Sequence, residues 1–171
     1  MNQQTMPITR NISFSYREYS NPQELTPEDR ELVAIAKEAA KNAYAPYSGF
    51  RVGAVVRLES GRTIAGTNVE NAAFPSGICA ERTALTYSIS NFPDDKPETM
   101  AIAAMNEEGL TPECVSPCGN CRQVIAEEEL RTGKKIRIIL TGEKKIMVIE
   151  TVNHILPLQF SRANLRPNLP L

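Results

Sequence analysis

The sequence is poor in histidine: His154 is its only one, far along the chain and without a motif partner. Histidine-based triads are therefore not expected, and His154 reads as a helix-face residue rather than a ligand. Charge of either sign is not in excess, since 19 lysines and arginines stand against 20 aspartates and glutamates, a net of -1. No long basic run appears. A binder of duplex DNA or RNA needs a basic stripe to neutralise phosphates, so polymeric nucleic acid is not the expected substrate. Apolar runs long enough to span a bilayer are also missing, and so is the basic and apolar start of a secretory signal. No membrane partner and a cytoplasmic location are the expectation. Four cysteines do not make a secreted disulfide scaffold, and the Cys-x-x-Cys spacing points to metal in a reducing compartment. Internal repeats and low-complexity segments are absent.

What is present suits one ordinary domain. A chain of 171 residues buries a sizeable core without disulfides. Residues 8–19 alternate apolar and polar at Ile12, Phe14 and Tyr16, which predicts an extra edge strand or a loose arm. Thr26 is placed to cap a helix whose first turn takes Pro27, Glu28 and Asp29. Leu32, Ile35, Ala36, Ala39, Ala40 and Ala43 mark its buried face, and Pro46 stops it. Residues 51–58 read as a strand with Val52, Ala54, Val56 and Leu58 on one side. Glu59-Ser60-Gly61 turns it into an antiparallel partner over 62–67. A helix over 79–91, a strand over 100–105, a helix over 118–130 and strands over 136–140 and 146–149 follow. The tail from Ser161, with Pro167 and Pro170, reads as extended. A hairpin followed by helix, strand, helix, strand implies a mixed sheet with helices on its faces. Both cysteine motifs then fall at helix N-termini beyond strand ends, where open α/β sheets place their sites.

Cys79-Ala80-Glu81 and, later, Pro117-Cys118-Gly119-Asn120-Cys121 supply three thiolates and one carboxylate. Three thiolates can hold zinc and leave its fourth position to water, the mark of a catalytic site. Cys118 and Cys121 present both sulfurs on one face of a first helical turn, where the dipole favours thiolate. Cys79 meets them if the two helices pack side by side. Sulfur donors suit zinc better than magnesium or calcium. The same residues also fit a closed structural zinc, with Cys114 as fourth ligand, or a redox pair. Cys114 otherwise reads as a small buried residue near a strand end. Three thiolates leave a dication net negative, so a nearby cation should offset them. Arg82 and Arg122 flank the motifs, and Arg82 is the favoured partner of a ligand sulfur. Glu81 is either an ordinary first-turn glutamate or, beside a metal ligand, a carrier of the water proton.

At these residues the chain resembles a cytidine deaminase of the small, homotetrameric class. The first ligand is Cys79 where the zinc-deaminase signature has histidine, which resembles the all-cysteine subclass. The resemblance extends through residues 45–54 (Ala45-Pro46-Tyr47-Ser48-Gly49-Phe50 and onward) and through Gly66-Thr67-Asn68-Val69-Glu70-Asn71-Ala72. It continues in Cys79-Ala80-Glu81-Arg82-Thr83-Ala84, in residues 116–123, and in Leu156-Pro157 with Phe160. It covers roughly residues 27–165.

The resemblance implies a three-layer α/β/α sandwich around a mixed five-stranded sheet. It divides the chain into an N-terminal extension (1–26), a catalytic domain (27–165) and a C-terminal tail (166–171). It implies one zinc per subunit on Cys79, Cys118 and Cys121, with Glu81 as proton carrier and Arg82 behind the sulfurs. Asn68 and Glu70 would bind the ribose hydroxyls, and Phe50 would stack near the pyrimidine. The backbone at Ala80 and Ser116 would contact the base, and Phe160 would come from a neighbouring subunit of a homotetramer with shared active sites. The implied reaction is hydrolytic deamination of cytidine and deoxycytidine to the uracil nucleosides and ammonia, a step of pyrimidine salvage. A related aminopyrimidine nucleoside, such as a nucleoside antibiotic, is the alternative substrate, and a noncatalytic nucleic-acid-binding zinc module is the alternative class. Two features depart from the family pattern: Phe74, where tyrosine is frequent near the subunit boundary, and the long N-terminal segment.

Overall fold

Strand β2 (Arg51–Leu58) shows how the layers arise. Ala54, Val56 and Leu58 point to one face and pack with residues of two helices, while Val55 points to the other and packs with a third. A computed structural model of the chain describes residues 6–165. In order it contains β1 (Arg17–Tyr19), α1 (Pro27–Lys41), β2, β3 (Thr63–Thr67) and α2 (Ala80–Asn91). Then come β4 (Pro97–Asn106), β5 (Gly109–Leu110), α3 (Gly119–Thr132), β6 (Arg137–Thr141), β7 (Ile146–Ile149) and α4 (Arg162–Leu165). The sequence predicts an extended tail from Ser161, but Arg162–Leu165 form the short helix α4; residues 166–171, with Pro167 and Pro170, lie outside the described residues.

The strands form one mixed sheet in the order β1-β7-β6-β4-β2-β3, with β5 paired to β4. Only β4 and β6 pair in parallel, and α3 makes the crossover between them. Helix α1 covers one face of the sheet; α2 and α3 cover the other. This is the expected three-layer α/β/α arrangement, but among the described residues the sheet has seven strands, not five. The additional strands are the N-terminal edge strand β1 and the short β5, which pairs with the end of the central strand β4. β5 is a two-residue return made possible by Gly109 at φ +123°. β1 lies within the segment that predicts an edge strand, and its three residues pair antiparallel with Ile146–Val148 of β7. Ile12, Phe14 and Tyr16 lie before it and remain exposed.

Helix α1 begins as its sequence predicts. The Thr26 side chain accepts from the Asp29 amide, and Pro27 opens the first turn. It ends at Asn42 rather than at Pro46, so Ala43 lies beyond it. Asp29, buried at 3% exposure, receives both arms of the Arg137 guanidinium and ties α1 to β6. On the opposite face, α3 closes with Gly133 in the left-handed conformation. Buried Glu129 accepts from the Ile136 amide (2.8 Å), the Thr151 hydroxyl (2.7 Å) and the Val152 amide (3.2 Å). Those bonds lock the end of α3 to the start of β6 and to the turn after β7. With both helices held on one face, their N-termini meet beyond the ends of β3 and β4.

Candidate active site

Cys79 is the N-cap of α2 and Cys118 the N-cap of α3, with Cys121 one turn in. The helices bring all three sulfurs within 4.8 Å of one another. Cys79 and Cys118 are 3.9 Å apart, and Cys118 and Cys121 are 3.4 Å apart. A tetrahedral zinc with Zn–S bonds of about 2.3 Å would hold its sulfurs about 3.8 Å apart. The thiol cluster therefore fits the ion in spacing and in donor type. Cys114 is not part of it: its thiol lies 3.2 Å from the Leu140 and Lys145 carbonyls, across β6 and β7. Closed coordination by four cysteines is thereby excluded. His154 is elsewhere too, in a short 3-10 turn with its ring stacked on Phe14.

The local electrostatics divide the cluster. Burial raises the Cys79 pKa, helped by the charges of Glu81 and Cys118. Burial, then the Glu81 charge, pushes Cys121 well above the thiol range. At Cys118 burial also opposes ionisation. The amide and thiol of Cys121, the Cys79 thiol and the Asn120 amide outweigh it and lower the pKa. A bound dication favours the thiolate at all three positions.

Glu81 is only 6% exposed. Burial raises its pKa, against the opposing pull of its own backbone amide and the Cys121 thiol. Its carboxyl faces a cavity of about 190 Å³ bounded by Phe50, Asn68, Ala80 and Ser116, with Cys79 and Cys118 in the wall. That is below the roughly 300–1,000 Å³ of drug-sized pockets and suits a single ring. A second cavity of about 520 Å³, lined by Glu70, Phe74, Arg82 and Asn120, shares Asn68 and Cys79 with the first.

The structure thus brings Phe50, Asn68, Cys79, Ala80, Glu81, Ser116 and Cys118 around one space, with Glu70 and Arg82 next door. Arg82 lines a cavity together with Cys79, and among the described residues no hydrogen bond joins it to a sulfur; the sulfurs meet one another, the Cys121 and Asn120 amides and the Glu81 carboxyl. Phe160 is not in its own chain's cavity. It is 57% exposed, and its carbonyl accepts from Gln123 Nε2 at 2.7 Å.

Several interactions were invisible to motif reading. The Asn68 amide is a clasp: its Oδ1 accepts from the Val52 amide (2.7 Å), and its Nδ2 donates to the Phe50 carbonyl (2.9 Å). The Glu70 carboxylate accepts from the Ser48 hydroxyl (2.5 Å), the Tyr47 amide (2.8 Å) and the Ser48 amide (3.3 Å). The Ser48 hydroxyl, then the Tyr47 amide, hold its pKa below the usual carboxylate range. Arg122 is not a partner of sulfur. Its guanidinium reaches the Pro117 and Ile155 carbonyls and the Ser116 hydroxyl. Ser48 does lie inside the motif of residues 45–54, and Gly49 beside it, at φ +67°, marks the tight turn; Arg122 directly follows Cys121 of the thiol cluster.

An α/β/α sandwich with three cysteines and a buried glutamate at paired helix N-termini defines a metal-thiolate site of the catalytic kind. Residues 26–134 match the family model described as the cytidine and deoxycytidylate deaminase zinc-binding region. A cytidine deaminase of Sporosarcina psychrophila is 39% identical over 135 residues, covering 79% of this chain and 93% of that protein. One from Halalkalibacterium halodurans is 43% identical over 100 residues, covering 58% and 71%. The crystal structure of cytidine deaminase from Burkholderia pseudomallei superposes with a TM-score of 0.66 at 32% identity, over 80% of this chain and all of the other. The chain belongs to the cytidine and deoxycytidylate deaminase family. Zinc is the metal that this membership and the thiol cluster together assign to the site.

Proposed function

We propose that this protein is a cytidine deaminase, hydrolysing cytidine and deoxycytidine to uridine and deoxyuridine with release of ammonia. One observation carries the reading. Two of three clustered sulfurs, those of Cys79 and Cys118, and a buried carboxyl line a ring-sized cavity that shares Asn68 and Cys79 with a larger space beside Glu70. Cys79, Cys118 and Cys121 would hold one zinc per subunit, which when bound supplies the Lewis acidity that brings the pKa of water near neutral.

The remaining work falls to the chain's own groups. Glu81 is buried, so its carboxyl takes up a proton more readily than an exposed glutamate does. It can hold the water proton and pass it to the ring nitrogen N3, then take the proton of the hydroxyl newly bonded to C4 and deliver it to the amine that departs as ammonia. The backbone at Ala80 and Ser116 bounds the base space and orients the ring. Phe50 offers its face to the pyrimidine. Asn68 keeps one amide hydrogen and Glu70 keeps carboxylate lone pairs for the sugar hydroxyls. The ring-sized cavity excludes bulk water from the reacting atoms. Arg82 contributes positive charge next to Cys79.

Residues 27–165 would form the catalytic domain, with residues 1–26 as an extension. Phe160, exposed and outside its own cavity, fits a role in the site of a neighbouring subunit, and with it a homotetramer. No described helix is long and apolar enough to cross a membrane, and a place in cytoplasmic pyrimidine salvage accords with the substrate. The test is turnover of cytidine, deoxycytidine and a panel of other aminopyrimidine nucleosides by the purified, zinc-loaded protein. Ammonia release from the first two is the expected result. Inertness towards both, with turnover of another nucleoside, would move the substrate assignment.

A further inference from the structure

The approach to Cys118 is poorly held by its own backbone. Residues 115–117 belong to no helix or strand. Among the described turn and loop backbone bonds, none involves them, and Pro117 has no amide hydrogen to give. Yet this segment sets the position of a zinc ligand and, through Ser116, one wall of the 190 Å³ cavity. The missing hold comes from Arg122, one residue past Cys121. Its Nε donates to the Pro117 carbonyl at 2.7 Å and its Nη2 to the Ser116 hydroxyl at 3.1 Å. Its Nη1 donates to the Ile155 carbonyl at 3.0 Å, across 33 residues of chain. Ile155 begins the segment that leads to Phe160, whose carbonyl is bound by the neighbouring Gln123.

We infer that Arg122 is a positioning residue that clamps the Ser116–Pro117 segment, and through it Cys118 and the cavity wall, against the C-terminal segment bearing Phe160. Only a rigid planar fork reaches acceptors in three directions at once; a lysine ammonium on its flexible stem would satisfy fewer. The charge of Arg122 is directed at oxygens, so its role is separate from the electrostatic one assigned to Arg82. The clamp also joins the zinc loop to the segment offered to a neighbouring subunit, which makes the metal site sensitive to how that segment is seated. The inference rests on the deaminase reading of this cavity.

Its test compares wild type, Arg122→Ala and Arg122→Lys, each as the zinc protein and with cobalt(II) in place of zinc. Arg122→Ala should keep its circular dichroism spectrum while kcat falls roughly ten- to a hundredfold, the range for partners that orient metal ligands. Its cobalt–thiolate absorption should shift, and a chelator should strip its metal faster than from wild type. Added guanidinium ion, occupying the vacated fork, should restore part of the spectrum and the rate. Arg122→Lys should fall between, and it supplies the same readouts if Arg122→Ala does not fold. A wild-type cobalt spectrum and wild-type chelator kinetics in both variants would overturn the inference. So would activity lost only in proportion to unfolded protein, with no rescue by guanidinium. Failure of wild type to deaminate would refute the proposed function instead, leaving the spectra to decide the role of Arg122.

Discussion

Replacing Gly66 by alanine should damage the metal site more than it damages the fold. A Cβ at Gly66 would lie 2.5 Å from the Ala84 amide nitrogen and 2.9 Å from the Ala80 carbonyl oxygen, both backbone atoms of α2. Ordinary contact begins at 3.4 Å, so α2 has to retreat by about 0.9 Å, at an overpacking cost of roughly 1–3 kcal/mol. Helix α2 starts at Cys79 and carries Glu81, whereas Cys118 and Cys121 ride on α3 and stay in place. Metal sites tolerate ligand displacements of only about 0.2 Å, so zinc affinity should fall about tenfold or more. Gly53→Ala is the matched control. There the Cβ would meet the Ala36 carbonyl at 2.2 Å and the Ala40 amide nitrogen at 2.4 Å, on α1, which carries no site residue. Both variants should melt about 2–12 °C lower than wild type. Only Gly66→Ala should lose zinc in competition against a chelating dye. Equal losses of zinc in the two variants, or none in either, would refute the claim that the contact between α2 and β3 sets the ligand geometry.

Glu81→Gln should retain zinc at the wild-type level by elemental analysis while turnover falls by roughly 10²–10⁴-fold, the usual contribution of a positioned proton carrier; turnover within a fewfold of wild type would remove Glu81 from the mechanism. Ser48→Ala should raise the Glu70 midpoint in a carboxyl ¹³C NMR titration, because the hydroxyl is the largest cause of its lowered pKa. With that pKa depressed in the folded protein, the carboxylate's hold on the Tyr47–Ser48 turn is fully present above the ordinary carboxylate pKa. It is lost as pH falls through the folded value, so neutral pH leaves it intact; an unmoved midpoint in Ser48→Ala would contradict this. Glu129→Ala strands the Ile136 and Val152 amides and the Thr151 hydroxyl, and urea unfolding should show a loss of about 3 kcal/mol or more. A loss under 1 kcal/mol would mean that water replaces the carboxylate there.

The clustering of Cys79, Cys118 and Cys121 near Glu81 was legible in the sequence because its geometry is largely local. A cysteine at an N-cap and another one turn on share a face whatever surrounds them, and helix start signals place those caps. The alternation of β2 likewise announced both faces of the sheet. Asn68 was legible as a polar residue at a strand end, but not as a clasp, since its partners are backbone groups of Phe50 and Val52 at the start of β2. Glu70 has the same history: its partners at Tyr47 and Ser48 are brought near by the bridge between Tyr44 and Val69, a long-range contact. Arg122 was read as a counter-charge because its neighbour in sequence is a cysteine, while its acceptors include Ile155 far along the chain. Beyond the five core strands, β1 (three residues) ends the alternating segment that predicts an edge strand or a loose arm, while β5 (two residues) carries no pattern of its own. Pairing with β7 and with the end of β4 makes them strands.

The most direct test of the whole account is to titrate zinc into the metal-free protein and follow ammonia release from cytidine at each ratio. The account predicts that activity rises linearly with bound zinc and saturates at one ion per chain, with Cys79→Ser, Cys118→Ser and Cys121→Ser each abolishing both binding and turnover while Cys114→Ser leaves them intact. Full activity in metal-free protein, or a stoichiometry that depends on Cys114, would contradict it.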